Sequence, residues 1–278
     1  MRVKSLLFHL RSLGPHFVKY FDNSARVRQG FRESARAHFG HVTRKWHPNY
    51  KPYVLTEKNG VHIINLEETI ASFEKAMTFI QSIVKKNGEV LFIGTKKQAK
   101  DIVQQEADRC GMFYIVERWL GGSLTNFTTI KKSIKRLKSL EKEGSNLYEN
   151  LTKKETQMLN RERVKLSDQH RGIKDMRKPP DAVVIVDGQY EATAIKEATS
   201  MNIPIVALID SNTDPNIVEF PIPANDDSLR TIQLIIGSIA DSILEIKGSS
   251  KDKSASSNID GQNNSVNTET IASNDEEE

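Results

Sequence analysis

The chain has 278 residues, of which 37% are hydrophobic and 27% are charged, and its formal net charge is +4 at pH 7. This length can bury one hydrophobic core and leaves room for an inserted subdomain. No apolar run approaches the length needed to span a bilayer. The single cysteine, Cys110, excludes an internal disulfide framework and a cysteine-based zinc site, and it is typical of a reducing compartment.

The charges are distributed unevenly along the chain. Residues 1–60 contain 12 Lys and Arg against 3 Asp and Glu, and residues 128–178 contain 15 against 7. Residues 61–127 are balanced, and residues 179–278 contain 5 against 18. Two basic blocks therefore flank a neutral one, and an acidic block follows. This pattern indicates contact with a polyanion on selected surfaces only.

Residues 1–32 are rich in arginine, and Asp22 is their only acid. An amphipathic, arginine-rich and acid-poor segment is typical of an organellar presequence. The same composition is also typical of a basic arm that becomes ordered on RNA. Both interpretations stay open, and we treat residues 1–32 as a basic N-terminal extension.

Residues 38–53 combine histidines, cations and an aromatic ring in one short segment. Cations interleaved with an aromatic ring suit phosphate contacts and base stacking. A histidine metal site is the alternative, but no cysteine or carboxylate nearby in the sequence would complete it. We therefore predict an RNA-binding segment and no metal. Its basic and aromatic members are His38, His41, Arg44, Lys45, Trp46, His47 and Lys51.

Residues 61–87 predict a strand followed by a long helix. Val61–Ile64 is a short apolar run. Apolar residues then recur every three or four positions from Leu66 to Val84, which predicts an amphipathic helix with its apolar stripe on the core. Gly88 follows soon after two lysines and ends this helix.

Residues 88–127 predict a βαβ unit. The apolar run Val90–Ile93 is bounded by glycines, which predicts a strand buried on both faces. A helical pattern over residues 99–110 separates it from a second strand, Tyr114–Val116. Strand, helix and strand in this order require a parallel sheet with a right-handed crossover.

A polar or basic loop follows each of these two strands. The first contains Lys96 and Lys97, and the second runs from Arg118 to Asn126 and includes Trp119. Ligands of open α/β sheets bind at the loops that follow the carboxyl ends of strands. Cations, an aromatic ring and glycines suit phosphate and a stacked base. The alternative is a tight turn in which Trp119 packs in the core.

Residues 128–178 contain few apolar and many charged residues. Two narrow helical stripes, the second opened by a capping box at Thr152–Glu155, predict an αα-hairpin that stands off the sheet. A charged run is usually a solvated face, but the excess here is positive, so we predict a contact with RNA phosphate. The cations of its first helix are Lys131, Lys132, Lys135, Arg136 and Lys138.

Residues 179–247 return to the sheet pattern. Ala182–Val186 and Ile205–Ile209 predict buried strands separated by a helix of small residues. Phe220–Ile222, between prolines, predicts a weak edge strand. Two aspartates then open a last helix that is rich in isoleucine, with the acids at the positive end of its dipole.

The chain is thus predicted to contain one α/β core domain, formed by residues 33–127 and 179–247. Residues 128–178 form the inserted helical hairpin. Residues 248–278 are rich in Ser, Asn, Asp and Glu and contain too little apolar surface to order themselves, so we predict a disordered acidic tail.

Seven motifs occur in a fixed order between Glu33 and Lys247. They are HFGHVTRKWHPNYKPY, NGVHIINLEET, FIGTKKQA, RWLGGSLTNF, GIKDMRKPPDAVVIVD, IPIVALIDSNTDP and IPANDD. Together they resemble the small-subunit ribosomal protein S2 family of bacteria and organelles, and several long motifs in register are far more specific than one short motif. The sequence departs from the family pattern at Arg36, where glycine is usual, and at His47, where asparagine is usual.

The resemblance implies a flavodoxin-like, three-layer α/β/α fold with a parallel sheet and a coiled-coil-like helical hairpin inserted between its third and fourth parallel strands. It implies a structural constituent of the small ribosomal subunit that binds rRNA in translation and helps neighbouring proteins, including ribosomal protein S1, to dock. The compartment would be the bacterial cytoplasm, or a mitochondrion or plastid if residues 1–32 are a presequence. No membrane, small-molecule substrate, metal or cofactor is expected.

We predict that basic loops and the hairpin contact the RNA backbone, with little readout of bases. The predicted contact residues are His41, Arg44, Lys45, Trp46, Lys51, Lys96, Lys97, Arg118, Trp119, Asn126, Lys131, Lys132, Lys135 and Arg136.

Two alternatives stay open. One is an extra-ribosomal interaction module on the same fold. The other is a Mg²⁺-dependent phosphoryl-transfer enzyme, because Asp187, Asp210 and Asp214 follow predicted strands. Against an enzyme, no GxGxxG motif follows a strand and no Walker loop is present. We therefore predict no enzymatic activity and no catalytic residues.

Overall fold

A computed structural model describes Gln29 and residues 37–142 and 152–266. In these residues a five-stranded parallel sheet is covered by helices on both faces, and a three-stranded antiparallel sheet precedes it. None of the described helices is long and apolar enough to cross a membrane. The predicted N-terminal extension, apart from Gln29, lies outside the described residues.

The antiparallel sheet consists of β1 (Phe39–Val42), β2 (Val54–Lys58) and β3 (Val61–Ile64), in the order β1-β3-β2. Asn59 and Gly60 connect β2 to β3 with φ angles of 54° and 73°. This left-handed pair is typical of a tight hairpin turn. The sequence predicts only β3, because β1 and β2 are largely exposed and contain no apolar run.

The parallel sheet consists of β4 (Val90–Ile93), β5 (Phe113–Ile115), β6 (Ala182–Val186), β7 (Ile205–Ile209) and β8 (Phe220–Pro223). Its order is β5-β4-β6-β7-β8, and every neighbouring pair is parallel. This is the strand order of flavodoxin-like sheets, with the switch point between β4 and β6. The predicted fold class is confirmed, and the proline-rich strand β8 is at an edge, as predicted.

Successive residues of the buried strands alternate between two hydrophobic clusters. Phe92 and Val184 face one cluster, which lies between one face of the sheet and three helices, whereas Leu91 and Ile185 face a second cluster on the opposite face. The alternation follows from the two-residue period of a strand. The helices are α1 (Leu66–Lys85), α2 (Lys100–Cys110), α3 (Phe127–Glu141), α4 (Lys153–His170), α5 (Ala192–Ser200) and α6 (Leu229–Val266).

The helical hairpin, α3 and α4, lies between β5 and β6. These are the second and third strands of the parallel sheet, so the predicted position between the third and fourth strands is wrong by one. The reason is that β3, which the prediction counts as the first parallel strand, pairs antiparallel with β1 and β2 instead. A short apolar run does not reveal which sheet it joins.

Helix α6 differs from the sequence prediction at its carboxyl end. Composition predicts disorder from Gly248, whereas the helix runs from Leu229 to Val266. The first part of the helix is nucleated by buried isoleucines such as Ile236 and Ile239. Once a helix exists, each further residue adds one hydrogen bond for one residue fixed, so it extends more readily than it starts. Residues 267–278 lie outside the described residues.

Gly172 joins the hairpin to the sheet. It lies in a short 3-10 helix, Arg171–Ile173, that contacts β5. A Cβ atom at this position would lie 2.2 Å from the carbonyl oxygen of Tyr114 and 2.6 Å from its ring. The hairpin therefore approaches β5 at a point where only glycine fits.

We expect Gly172→Ala to lower the free energy of unfolding by about 1–3 kcal/mol, because the obstacle is backbone that cannot rotate away. Urea unfolding followed by circular dichroism measures the change. Gly121→Ala is the matched control, because no atom lies within 4 Å of its Cβ position. Equal effects of the two substitutions would contradict the close approach.

Candidate nucleic-acid interface

The loops after the parallel strands meet at one edge of the sheet, the carboxyl edge. Lys96 follows β4, Asp187 follows β6 and Asp210 follows β7. Strand β1 reaches the same place, since the backbone N–H of His41 donates a hydrogen bond of 2.8 Å to Oγ of Ser211. Lys96 and His41, two of the predicted contact residues, thus lie at the edge where ligands of such sheets bind.

Lys96 points into this edge rather than out of it. Its Nζ lies 2.7 Å from Asp226, 2.7 Å from Asp227 and 3.0 Å from Asp187, and its side chain is only 13% exposed. Burial alone would lower the pKa of Lys96, but the carboxylates raise it overall. Because its ammonium group is already paired, we leave Lys96 out of the proposed contact surface.

His41 is likewise directed inward. Its Nδ1 lies 3.0 Å from Oδ2 of Asp210, and its Nε2 lies 3.8 Å from Asp227. The hydrogen bond with Asp210 raises the pKa of His41, although burial opposes this shift. Gly40 permits the approach, since a Cβ there would lie 2.9 Å from Oγ of Ser211. We leave His41 out of the proposed contact surface for the same reason as Lys96.

Asp226 is the most buried acid of this edge, with no exposed surface. Its Oδ1 contacts Lys96, whereas its Oδ2 has no hydrogen-bond partner in the described part of the chain. Burial, together with the nearby charges of Asp187 and Asp210, raises the pKa of Asp226 to about 7, although Lys96 lowers it. The cluster therefore contains more negative charge than its cations neutralise.

The three carboxylates predicted for a catalytic Mg²⁺ do not form one site. Asp187 pairs with Lys96, and Asp210 pairs with His41. Asp214 instead accepts hydrogen bonds of 3.1 Å from Nδ2 of Asn49 and caps a turn. The turn-shaping interpretation of Asp214 agrees with the structure.

Trp119 packs against the core beside β5 instead of standing free. Its Nε1–H donates a hydrogen bond of 3.0 Å to Glu197, which also accepts from the backbone N–H groups of Gly122, Leu124 and Thr125. The structure agrees with the alternative of a tight turn in which Trp119 packs against the core, so we leave Trp119 out of the proposed contact surface.

Glu197 was not identified from the sequence as a functional residue. Burial raises the pKa of its carboxyl, but hydrogen bonds from Gly122, Trp119, Leu124 and Thr125 lower it overall. The sequence around Glu197 gives only a weak indication of its role. Glu197 occupies a buried position of α5 between the small apolar residues that pack on the sheet, and a buried acid requires donors.

Trp46 is half-buried, and its ring centroid lies 4.8 Å from that of His62, which is buried. One part of the indole therefore belongs to the antiparallel sheet, and the rest remains accessible for a stacked base. Arg136, in the hairpin, is paired with Glu162 through hydrogen bonds of 2.9 and 3.0 Å. This bidentate pair ties α3 to α4 and leaves less of the guanidinium for phosphate.

The remaining predicted contacts are exposed, and within the described residues none of their cationic side chains is ion-paired. They form two groups. We name the first group the edge cations, because they lie around the carboxyl edge: Arg44, Lys45, Lys51, Lys97 and Arg118. The second group, the hairpin cations, lies on α3: Lys131, Lys132 and Lys135. Asn126, also exposed, accepts hydrogen bonds from Thr128 and Thr129.

A groove runs beside α3 at the base of the hairpin. Five of the residues that line it are cations and one is an acid, Asp175, which pairs with Lys138 at 3.0 Å. Lys174 and Arg177 follow α4 and line this groove together with Lys131 and Lys135, although no motif of the sequence indicates them as contact residues. In the folded chain, basic residues of α3 and of the segment after α4 therefore lie in one groove.

The chain matches the family model of ribosomal protein S2 over residues 34–246, which includes the sheet, the hairpin and the carboxyl edge. It belongs to the ribosomal protein S2 family. The predicted family is thereby confirmed. Members of this family are structural, non-enzymatic proteins of the small ribosomal subunit, where rRNA and other ribosomal proteins surround them.

We expect Glu197→Gln to lower the free energy of unfolding by about 1–3 kcal/mol, because hydrogen bonds to a charged acceptor are lost and an amide N–H₂ faces backbone donors. Urea unfolding measures this change. Glu57→Gln, at an exposed position of β2, is the matched control and should stay within about 0.5 kcal/mol of the natural protein. A neutral Glu197→Gln would contradict the role of this carboxylate in holding the Trp119 loop.

The pH dependence of the unfolding free energy provides an independent check on the role of the Glu197 carboxylate. The pKa of Glu197 is lowered by folding, so the carboxylate contributes stability above the ordinary glutamate pKa, and this contribution is lost as the pH falls through the lowered value. The difference in unfolding free energy between the natural protein and Glu197→Gln should therefore shrink from neutral to acid pH. A difference that is independent of pH would show that the charge of Glu197 is not the stabilising feature.

Proposed function

We propose that this S2 family protein binds small-subunit rRNA through the edge cations and the hairpin cations, and so helps the subunit to assemble. The observation that carries the proposal is the separation of the charges at the carboxyl edge. Inward cations are neutralised by carboxylates, whereas the neighbouring outward cations have no acidic partner in the described residues. Unpaired cations on one surface are the electrostatic footprint of a polyanion-binding protein.

The edge cations are held on rigid supports, which favours binding. Arg44 and Lys45 lie in one 3-10 turn, and the backbone N–H of the following His47 donates a 2.7 Å hydrogen bond to the carbonyl of Ser211. Lys97 directly follows the ion-paired Lys96, and Arg118 directly precedes the Trp119 loop. Because the backbone is already fixed, docking on RNA orders only side chains.

The mechanism is phosphate contact rather than base recognition. Lysine and arginine that neutralise phosphates release condensed counterions, and this supplies affinity that depends on salt but not on sequence. The exposed part of Trp46 adds one surface on which a base can stack, worth about 1–3 kcal/mol. Phosphate contacts of this kind fix the position and orientation of the protein on a folded RNA.

The hairpin cations form a second contact surface beside the basic groove. Among the hairpin cations, the ammonium group of Lys131 lies 4.9 Å above the ring of Phe127, and in the adjacent groove Lys174 is paired with Glu141. Lys132 and Lys135 are exposed. This surface is therefore weaker per residue than the carboxyl edge and serves to orient the protein.

Two further assignments, the neighbouring proteins and the compartment, rest on membership of the ribosomal protein S2 family. We propose that the protein docks neighbouring small-subunit proteins, among them ribosomal protein S1 where one exists. The compartment follows from residues 1–32: the bacterial cytoplasm if they are an RNA-binding arm, or a mitochondrion or plastid if they are a presequence.

The proposal predicts a change in salt dependence. Arg44→Ala combined with Lys45→Ala should flatten the log–log dependence of rRNA affinity on salt by about 1–2 units, because each neutralised phosphate contributes about 0.7–0.9. Filter binding of protein-free small-subunit rRNA over a series of KCl concentrations measures this slope.

Lys85→Ala combined with Lys86→Ala is the matched control for this experiment. It removes the same charge at the end of α1, close to where β4 begins and hence at the opposite edge of the sheet. Its slope should equal that of the natural protein. If both double variants change the slope equally, the affinity depends only on the total charge of the protein. If neither variant changes the slope, the RNA interface lies elsewhere.

A further inference from the structure

The basic groove beside α3 contains more positive charge than the hairpin neutralises. Two of its five cations are paired with acids of the hairpin and of the segment after it. The other three are exposed and have no acidic partner within residues 37–142 and 152–266: Lys131, Lys135 and Arg177. Lys131 and Lys135 lie one helical turn apart, where like charges are destabilising. An anion in the groove would offset this repulsion.

The sequence contains one stretch whose charge is complementary to the groove. Residues 267–278 contain five acids and no cation, and the four residues from Asp275 to Glu278 are all acidic. Residues 248–266 contain two lysines and two aspartates, so the negative charge is concentrated in the last 12 residues of the sequence. Dense acidic stretches of this kind are typical of segments that interact with a basic partner. We name residues 267–278 the acidic segment.

We propose that the acidic segment binds the basic groove of the same chain in the absence of RNA. Charge selects this occupant. Residues 1–28, another stretch that lies outside the described residues, contain six cations against one acid, and they would be repelled from a groove of the same sign. The consequence of this contact for RNA binding rests on the proposed function, whereas the contact itself does not.

Helix α6 passes close to the groove before the acidic segment begins. Nζ of Lys247 donates a hydrogen bond of 3.1 Å to the carbonyl oxygen of Gly111, which directly precedes the β5 region. In β5, the backbone of Tyr114 closely approaches Gly172. Lys174, two residues after Gly172, lines the groove. The path from α6 to the groove therefore crosses a single strand, β5.

The acidic segment is long enough to complete this path. From Lys247 to Val266, α6 advances about 1.5 Å per residue, which gives about 28 Å. The 12 residues that follow span up to about 40 Å when extended. They can therefore return to the groove even where α6 runs straight. Because both partners belong to one chain, the contact is intramolecular, and a high effective concentration allows a weak contact to fill the groove.

RNA and the acidic segment offer the same chemistry to the groove. Carboxylates and phosphates are both anionic acceptors for lysine and arginine, so the two compete. A groove that is free in only about a tenth to a third of the molecules lowers the apparent affinity for RNA about three- to tenfold. An RNA that also meets the edge cations overcomes this loss more easily than an RNA that reaches only the hairpin. The acidic segment thus disfavours RNA that does not fit both surfaces.

Carbodiimide crosslinking of the RNA-free full chain tests the contact directly, because this reagent joins carboxylates to amines that touch them. Mass spectrometry should identify links between the acidic segment and Lys131, Lys135 or Lys174. Lys45, an exposed cation of the carboxyl edge, is the matched internal control and should form few such links. Links to Lys45 that are as frequent as those to the groove, or links confined to other lysines, would overturn the proposal.

A variant with a neutral acidic segment measures the competition in the full-length chain. At low salt it should bind protein-free small-subunit rRNA about three- to tenfold more tightly than the natural protein, because the groove is then always free. Its five substitutions are Glu269→Gln, Asp275→Asn, Glu276→Gln, Glu277→Gln and Glu278→Gln.

Two backgrounds show whether this gain in affinity passes through the groove. With Lys135→Ala and Arg177→Ala, both at exposed positions that tolerate substitution, the five changes should have almost no effect on affinity. With Arg44→Ala and Lys45→Ala, which remove the same charge from the carboxyl edge, the gain should persist. An equal gain in both backgrounds would show that the acids act through total charge, and it would overturn the proposal.

Failure of this proposal differs from failure of the proposed function. If the neutral segment changes no affinity and no groove crosslinks form, the acidic segment does not bind the groove. If groove crosslinks form while the affinity for rRNA is unchanged, the contact is supported, and the hairpin cations are not part of the RNA interface.

Discussion

The ion pairs around Lys96 hold the carboxyl edge together. One ammonium group, placed directly after β4, contacts carboxylates that follow β6 and β8. Removing one partner of a buried ion pair typically costs about 3–5 kcal/mol, because the other charge is left uncompensated. The loops at this edge are therefore fixed relative to one another by charge as well as by the strands, and the edge cations lie on these fixed loops.

At this edge, adjacent residues of one loop lie in different environments. Lys96 is internal and paired, whereas Lys97 is exposed. Trp119 is bound to Glu197, whereas Arg118 beside it is exposed. In each pair, the inward residue holds the loop in place and the outward residue is exposed to solvent. A basic loop on a rigid sheet thus combines a structural residue with an exposed cation at neighbouring positions.

These residues also show which features of the structure could be predicted from the sequence. Buried strands and amphipathic helices follow from local spacing, so β4, β6, β7, α1 and the hairpin are predicted correctly, as is the fold class. The side-chain partners of Lys96 and Trp119, in contrast, are distant in the sequence. Lys96 meets Asp226 across 130 residues and Trp119 meets Glu197 across 78, and no pattern within a short window contains such information. The exposed strands β1 and β2 were missed because burial, which produces the pattern, is absent there.

The position of the hairpin in the chain has a consequence for how the sheet forms. Strand β4 pairs with β5 nearby, but its other partner is β6, so Val90 must find Ala182. Closing a longer loop costs more entropy, about 0.6 kcal/mol for each doubling of its length. Helices α3 and α4 form from local contacts and shorten that loop before it closes. Until Val186 has been synthesised, however, one side of β4 remains an unpaired strand edge, which is the kind of surface that aggregates. The newly made chain is therefore most vulnerable while its hairpin is being translated.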